Sequence, residues 1–432
     1  MIDEQAVRES LHRRADSIHA LPADPPRAVR RARRRLALTL GVALVVVVAL
    51  VIGSIVGIRS LTEVSLPRPA APGLPMTWTH ISLTGVEVDA VTPGGPGLVA
   101  VGTDSPGIPT VWTSADGLTW NPVHQEGPGD YMRDVTAGGP GLVAVGEANL
   151  AGAVWTSSDG ITWTMLPPDP AVFGQARILA VARGGPGLVA VGESSSPNAV
   201  VWISSDGLTW SRLPEDPTVF GNASMRGVVR GGPGLVAVGT AGAPGSPDIP
   251  VPTAWTSRDG MTWRRVAVDP SAEAVLNDVT TGRNGLVAVG WRQDGTAAAW
   301  TSRDGLHWSA APADPAAFGP SSLSTVQRPT LVEMADVIGG AFGYVAVGFE
   351  TYCPGLSGTH RWVPECGRGA SEAVVWTSHD GEAWTRARSV TAFEPIGECV
   401  AGGSGRGVTM LGRQFVVVGT QCGPAAWISE QI

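Results

Sequence analysis

A nine-residue motif, GGPGLVAVG, recurs along this chain and constrains its fold more than any other feature. Four nearly identical copies lie at 94–102, 138–146, 184–192 and 231–239. Degenerate copies follow at 284–290, 342–348 and 413–419. Most copies are spaced by roughly 45 residues, an interval typical of architectures in which each repeat is one supersecondary unit. The chain is therefore predicted to be a repeat protein.

A second motif, with the pattern VWTSxDGxTW, follows each of the first six copies. It occupies 111–120, 154–163, 201–210, 254–263, 299–308 and 375–384. Each repeat then contains four short strands, one before GGPG and three centred on LVAVG, VWTS and TW, joined by Gly-Pro and Asp-Gly turns. Repeated four-stranded units are the signature of a β-propeller.

The seventh repeat ends at AAWISEQI, before its fourth strand. The missing strand is present at the other end of the domain, where PMTWTHI (75–81) matches the DGMTWRRV ending of a repeat. Closing the ring in this way leaves no sheet edge at the seam. We predict an all-β fold, a seven-bladed β-propeller of four-stranded blades over residues 76–432.

The second motif resembles the Asp-box, or BNR repeat, of sialidase-like propellers, although its Ser-x-Asp-Gly-x-Thr-Trp spacing is one residue shorter than the family's. The resemblance covers residues 76–432. It implies that the boxes lie on the face of the propeller opposite the one that usually holds the active site. We expect the box aspartates to cap their turns, and paired tryptophans such as Trp112 and Trp120 to fill the space between blades. The box aspartates are Asp116, Asp159, Asp206, Asp259, Asp304 and Asp380.

Sialidase activity would require the family's arginine triad, its Tyr–Glu nucleophile pair and its Asp acid. The family's Phe/Tyr-Arg-Ile-Pro motif is absent, because Arg177 and Ile178 are followed by Leu179. Sialidase propellers also have six blades. The resemblance therefore predicts the fold rather than the activity, and we assign no catalytic residue and no cofactor.

Residues 36–58, LALTLGVALVVVVALVIGSIVGI, carry no charge. As a helix they would span about 34 Å, enough to cross a bilayer core. Arginines cluster immediately before this segment, so the positive-inside rule places the N-terminus in the cytoplasm. We predict a cytoplasmic tail (1–35), a single plasma-membrane helix (36–58), a proline-rich linker (59–75) and an extracellular propeller. A cleaved signal peptide is the alternative, but both parts are long for one.

The net charge of −8 combines a basic excess in residues 1–60 with an acidic excess in the remainder. An acidic propeller argues against nucleic acid as a partner, because phosphates require a basic patch.

The constant GGPG and DG turns should lie on one rim of the propeller and all the variable loops on the other. Variable loops on a rigid scaffold are typical of binding surfaces. Charged residues of the first strands should surround the mouth of the central channel; they are Asp89, Arg133, Asp134, Arg226, Asp278, Asp336 and Arg406. Either these side chains pair in salt bridges, or Arg226 and Arg406 receive an anionic ligand.

Three loops between blades share the sequence DPxxFG. Their phenylalanines, Phe173, Phe220 and Phe318, either tuck into the fold or form an exposed aromatic patch suited to a sugar or a peptide.

All four cysteines, Cys353, Cys366, Cys399 and Cys422, fall in repeats six and seven. An even number in an exported domain favours disulfides, and local closure favours Cys353–Cys366 with Cys399–Cys422 among the three possible pairings. There is no CxxC spacing and the histidines are scattered, so we predict no metal site.

Together these features predict a membrane-anchored extracellular propeller that binds a protein or a cell-envelope glycan without catalysis. One alternative is a sialidase-like glycoside hydrolase or a lyase using Asp278 and Asp336. The other is a transmembrane sensor in which rim occupancy alters what residues 1–25 bind.

Overall fold

The computed structural model of the protein describes residues 77–104, 108–124, 130–320, 328–353, 371–387, 403–421 and 423–431. These residues form seven four-stranded antiparallel sheets. Each sheet is one blade, and its strands are joined in sequence order except at the seam.

The strands follow the repeats of the sequence. The chain begins with β1 (Trp78–Ser82). Blade one contains β2 (Glu87–Gly94), β3 (Gly97–Asp104), β4 (Ile108–Ser114) and β5 (Asn121–His124). Blade two contains β6 (Asp130–Gly138), β7 (Gly141–Ala148), β8 (Ala151–Ser157) and β9 (Thr164–Met165). Blade three contains β10 (Ala176–Gly184), β11 (Gly187–Ser194), β12 (Ala199–Ser204) and β13 (Ser211–Arg212).

A short helix, α1 (Pro217–Phe220), leads into blade four, which contains β14 (Ala223–Gly231), β15 (Gly234–Ala243), β16 (Ser246–Ser257) and β17 (Trp263–Ala267). Blade five contains β18 (Ala274–Gly282), β19 (Gly285–Arg292), β20 (Ala297–Ser302) and β21 (Trp308–Ala310). A second helix, α2 (Pro315–Phe318), precedes blade six, which contains β22 (Arg328–Gly340), β23 (Gly343–Cys353), β24 (Ser371–Ser378) and β25 (Trp384–Arg386). Blade seven contains β26 (Gly403–Leu411), β27 (Gln414–Gln421), β28 (Pro424–Ser429) and β1.

The first strand of every blade is its innermost strand. Each of these seven strands contacts the first strands of both neighbouring blades, so that β2, β6, β10, β14, β18, β22 and β26 form a closed ring. The predicted propeller of seven four-stranded blades is confirmed.

The N-terminal strand closes the ring, as predicted. β1 pairs antiparallel with β28 from Trp78 opposite Ser429 to Ser82 opposite Ala425. Trp78 is buried in the apolar core shared by blades six and seven, and the His80 ring meets Trp427 edge-on, with 5.7 Å between the ring centroids. Blade seven is thus built from both ends of the domain.

The LVAVG strands form the core because both of their faces are covered by neighbouring blades. In β11, for example, Leu188, Val189 and Val191 are at most 2 % exposed. The tryptophan of the third strand in each blade packs between blades. Six of these seven tryptophans are fully buried, and Trp155 is 2 % exposed; the six are Trp112, Trp202, Trp255, Trp300, Trp376 and Trp427. The predicted filling of the space between blades is confirmed for these residues.

Every inner strand carries a β-bulge, and the final glycine of LVAVG accommodates it. In blade three the register shifts between Ile178 and Ala180, beside Gly192 of β11. A Cβ atom on Gly192 would lie 1.9 Å from the carbonyl oxygen of Arg177, far inside van der Waals contact. Only glycine fits where the bulged strand approaches this closely.

The box aspartates cap their turns, as predicted. In blade two, Asp159 Oδ1 accepts hydrogen bonds from the backbone N–H groups of Ile161 and Thr162 at 2.8 and 2.7 Å. Trp163 donates its indole N–H to the carbonyl of Gly160 at 3.0 Å. The other box aspartates accept the same hydrogen bond from the backbone N–H group two residues further on; they are Asp116, Asp206, Asp259, Asp304 and Asp380.

The constant turns lock neighbouring blades together on one rim. Gly95 of the first GGPG turn adopts φ = +54°, and a Cβ there would lie 2.8 Å from the carbonyl oxygen of Asp159 in the next blade. A Cβ on Gly139 would lie equally close to the carbonyl oxygen of Asp206, and one on Gly185 to that of Asp259. We call this face the constant-turn rim and the opposite face the variable-loop rim.

The DPxxFG loops are structural rather than an exposed aromatic patch. Phe173, Phe220 and Phe318 are all buried. A tryptophan of the following blade fixes each loop, as when Trp255 donates its indole N–H to the carbonyl of Val219 at 2.8 Å.

Several predictions concern residues outside the described part of the chain. The described segments contain no helix long and apolar enough to cross a membrane. The predicted membrane helix (36–58), the cytoplasmic tail and the linker lie outside them. Cys353 ends β23, whereas Cys366, Cys399 and Cys422 lie outside the described residues, and no disulfide occurs within them. These assignments stay predictions.

Candidate functional site at the mouth of the central channel

The predicted channel residues occupy two successive positions of the inner strands. The bulged position, which we call the mouth position, holds Asp89, Arg133, Leu179, Arg226, Asn277, Ala335 and Arg406. The next residue, which we call the deep position, is closer to the GGPG turn and holds Ala90, Asp134, Ala180, Gly227, Asp278, Asp336 and Gly407. The three arginines therefore lie in one layer and three aspartates in another.

The deep aspartates connect neighbouring blades. Asp336 accepts a hydrogen bond from its own neighbour Val337 on Oδ1 and from the backbone N–H of Val408 in blade seven on Oδ2, both at 2.7 Å. Asp134 makes the same bridge from blade two to Val181 of blade three, at 2.8 Å. Their carboxylates bind inner strands together.

Burial raises the pKa of two deep aspartates, Asp134 and Asp278. Asp134 keeps some solvent access along the channel, but protein surrounds it on nearly all sides, and this burial raises its pKa to about 7. The pKa of Asp278 lies well above its ordinary value, first because of burial and then because of its hydrogen-bonded neighbour Asp336. Asp278 also accepts the backbone N–H of Val337 at 3.2 Å.

Two mouth arginines are held in place by an ion pair and an aromatic ring. Arg133 pairs with Glu147 at 2.8 Å, and its guanidinium carbon lies 5.3 Å from the centre of the Tyr131 ring. Arg406 pairs with Glu87 at 3.4 Å and lies 5.2 Å from the centre of the Phe349 ring. Both arginines are therefore paired, but with glutamates outside the predicted set of channel residues rather than with its aspartates.

The third mouth arginine is different. Arg226 is exposed and forms no ion pair within 4 Å with any residue that the structure describes. Arg226 acts electrostatically on Glu333, whose carboxylate accepts a hydrogen bond from Asn277 Nδ2 at 2.8 Å. Burial raises the pKa of Glu333, while Arg406 and Arg226 oppose that rise.

Sequence reasoning missed Asn277 and Glu333. The extra length of repeat six predicts an insertion at roughly 311–334, but Glu333 belongs to the long inner strand β22. The number of residues between each channel residue and the first glycine of its GGPG-type turn does distinguish the mouth position from the deep position. Arg133 precedes Gly138 by five positions and Asp278 precedes Gly282 by four.

The constant-turn rim has a different character. Four boxes expose an aliphatic side chain there, from Leu118, Ile161, Leu208 and Met261. The box carboxylates beside them are held ionised, since backbone hydrogen bonds lower the pKa of Asp159 to about 2. A depression of about 330 Å³ adjoins Asp259 and Trp263. The described residues contain no group of three or more side chains suited to a metal ion.

The family described as the DUF6242 beta propeller domain matches residues 108–269, less than half of the chain. Among solved structures, virginiamycin B lyase from Staphylococcus aureus aligns with a TM-score of 0.50 and 11 % identity, over 83 % of this chain and 100 % of that one. A streptogramin B lyase aligns at 0.49 and 10 % identity, covering 83 % and 98 %. A protein of unknown function from Dyadobacter fermentans aligns at 0.43 and 15 % identity, covering 84 % and 100 %.

No curated protein matches the sequence. At such low identity a structural likeness carries no information about activity. The Asp-box resemblance rests on the motif alone. The comparisons support a β-propeller that is similar to the DUF6242 beta propeller domain over residues 108–269.

Proposed function

We propose that this protein is a non-catalytic binding module whose ligand contacts the channel mouth on the variable-loop rim. The observation that supports this most strongly is Arg226, an exposed guanidinium without an ion pair among the described residues, in a layer where the other two arginines are paired. An exposed arginine without an ion pair is suited to a carboxylate, sulfate or phosphate group.

The carboxyl groups favour binding over hydrolysis. A sialidase-like or lyase mechanism would draw on Asp278 and Asp336. Both oxygens of Asp336 already accept backbone N–H groups, and Asp278 adds a bond to the same strand. Carboxyl groups whose oxygens accept backbone N–H groups in this way hold the inner strands together.

The proposed setting is the outer face of the plasma membrane, with residues 36–58 as the anchor and a protein or a cell-envelope glycan as the partner. Because β1 runs antiparallel to β28, Trp78 lies beside Ser429, at the end of the blade that carries the constant turns. The chain therefore enters the propeller on the rim opposite the proposed ligand.

The test is binding to isolated cell envelopes by the full-length protein carrying Arg226→Ala and Arg406→Ala together. We expect at least a tenfold loss of bound protein, since each charge-assisted contact contributes about 1.5–3 kcal/mol. The matched control is Arg230→Ala, because Arg230 is exposed on the same strand as Arg226 but at the constant-turn end. Protease and glycosidase treatment of the envelopes distinguishes a protein partner from a glycan. Undiminished binding by a folded double variant would contradict the proposal.

A further inference from the structure

Three neighbouring mouth positions place Asp89 between two arginines. Asp89 belongs to blade one, Arg406 to blade seven and Arg133 to blade two, and β2 contacts both β26 and β6. Asp89 is half-buried and forms no ion pair within 4 Å with either arginine. Both guanidinium groups nevertheless act on its carboxyl group electrostatically. The three side chains thus face one another without direct contact.

The two arginines have hydrogen-bond donors left over. One terminal nitrogen of each is used by a glutamate, Glu147 for Arg133 and Glu87 for Arg406. The Nε atoms of Arg133 and Arg406 are buried and have no acceptor in the described part of the chain. A buried donor without an acceptor costs about 1–3 kcal/mol. The Arg133 and Arg406 side chains are nevertheless 33 % and 37 % exposed, so an oxyanion reaches their guanidinium groups from solvent, whereas a cation would be repelled.

The charge of this site depends on Asp89. With Asp89 ionised, three carboxylates (Glu87, Asp89 and Glu147) face two guanidinium groups, and the excess negative charge repels an anion. With Asp89 protonated, the charges balance and its O–H becomes a third donor.

The surroundings place this protonation near neutral pH. Burial raises the pKa of Asp89 to about 7, and Glu87 adds to the rise, while Arg406 and Arg133 oppose it. The strands packed against β2 are β3, β6, β26, β27 and β28. Their other titratable side chains are Asp104 on β3 and Asp130, Tyr131 and Asp134 on β6, and β27 and β28 carry none.

We propose that Asp89, Arg133 and Arg406 form an oxyanion site that takes up a proton on Asp89 together with its ligand. The ligand group is a carboxylate or a sulfate-like oxyanion, bound by the exposed parts of the two guanidinium groups and by the protonated Asp89 carboxyl group. This inference rests on the proposed function, because it assigns the ligand chemistry and pH dependence of the same channel mouth.

The test is calorimetric titration of the full-length protein with sulfate, whose charge is constant between pH 6 and pH 8. We expect affinity to be about tenfold lower at pH 8 than at pH 6, since a group of pKa near 7 changes from mostly protonated to mostly ionised over that range. Repeating the titration in buffers of different ionisation enthalpy should reveal proton uptake at pH 8. Acetate, titrated in the same way, reports whether a carboxylate is preferred.

Three variants separate the site from general charge effects. Asp89→Asn should bind sulfate with equal affinity at pH 6 and pH 8, while Arg133→Gln and Arg406→Gln should each weaken binding at least tenfold at pH 6. Arg230→Gln, on the same propeller, should leave binding unchanged. Sulfate affinity that is equal at both pH values in the unmodified protein, or no sulfate binding at all, would overturn the inference. If envelope binding nevertheless still required Arg226 and Arg406, the proposed function would stand without it.

Discussion

Deleting Trp78–Ser82 from the full-length chain is expected to lower the free energy of unfolding of the propeller by about 5 kcal/mol or more, comparable to the whole net stability of many domains. These five residues form the outer strand of blade seven and pair with β28 along its length. Losing a buried tryptophan such as Trp78 costs about 3–5 kcal/mol on its own. The deletion also exposes the edge of β28, which invites aggregation. Thermal unfolding and gel filtration measure both effects.

The matched control for this deletion removes residues 62–66 of the linker instead, which shortens the chain equally without touching a blade. The control protein should have the same melting temperature and the same elution volume as the unmodified protein. Equal melting temperatures for the two deletions would show that blade seven does not need its N-terminal strand, contrary to the closure described here.

The second large effect is expected for Gly192→Ala. The new methyl group would lie 1.9 Å from the carbonyl oxygen of Arg177, where the bulged strand β10 crosses β11. Relieving this overlap requires the inner strand to move in a core packed on both faces, so we expect a loss of about 3–5 kcal/mol of stability. Chemical denaturation monitored by tryptophan fluorescence measures this loss of stability.

Gly245→Ala provides the comparison. Gly245 adopts φ = +78°, but an added Cβ there has no atom within 4 Å. Only the conformational cost of the left-handed region applies, about 1–2 kcal/mol. If Gly192→Ala were no more destabilising than Gly245→Ala, the close approach of the two strands would not explain why LVAV is followed by glycine.

The sequence predicted the fold because its information is local and repeated. GGPG and DG specify tight turns, the LVAV strands specify blades covered on both faces, and the TW strand at 77–78 identifies the seam. Each inference needed only a short stretch of chain. The resulting strand order, closure and capping by residues such as Asp159 all appear in the structure.

The channel mouth was predicted less completely, because its interactions join residues far apart in sequence. Asp336 and Val408 are bonded partners separated by 72 positions. The bulge that divides the mouth layer from the deep layer arises from pairing with the second strand, which composition does not reveal. The inner strand β22 also extends into a segment that looked like an insertion, so Glu333 was not recognised as a channel residue.

The central claim is that the ligand binds at the channel mouth on the variable-loop rim. The most direct measurement places a photo-crosslinking amino acid at Leu179, the mouth position of β10, and separately at Arg183, near the constant turn of the same strand. Each full-length protein is irradiated together with isolated cell envelopes. We predict an envelope-derived adduct from position 179 and none from position 183. An adduct from position 183 with none from position 179 would contradict the account.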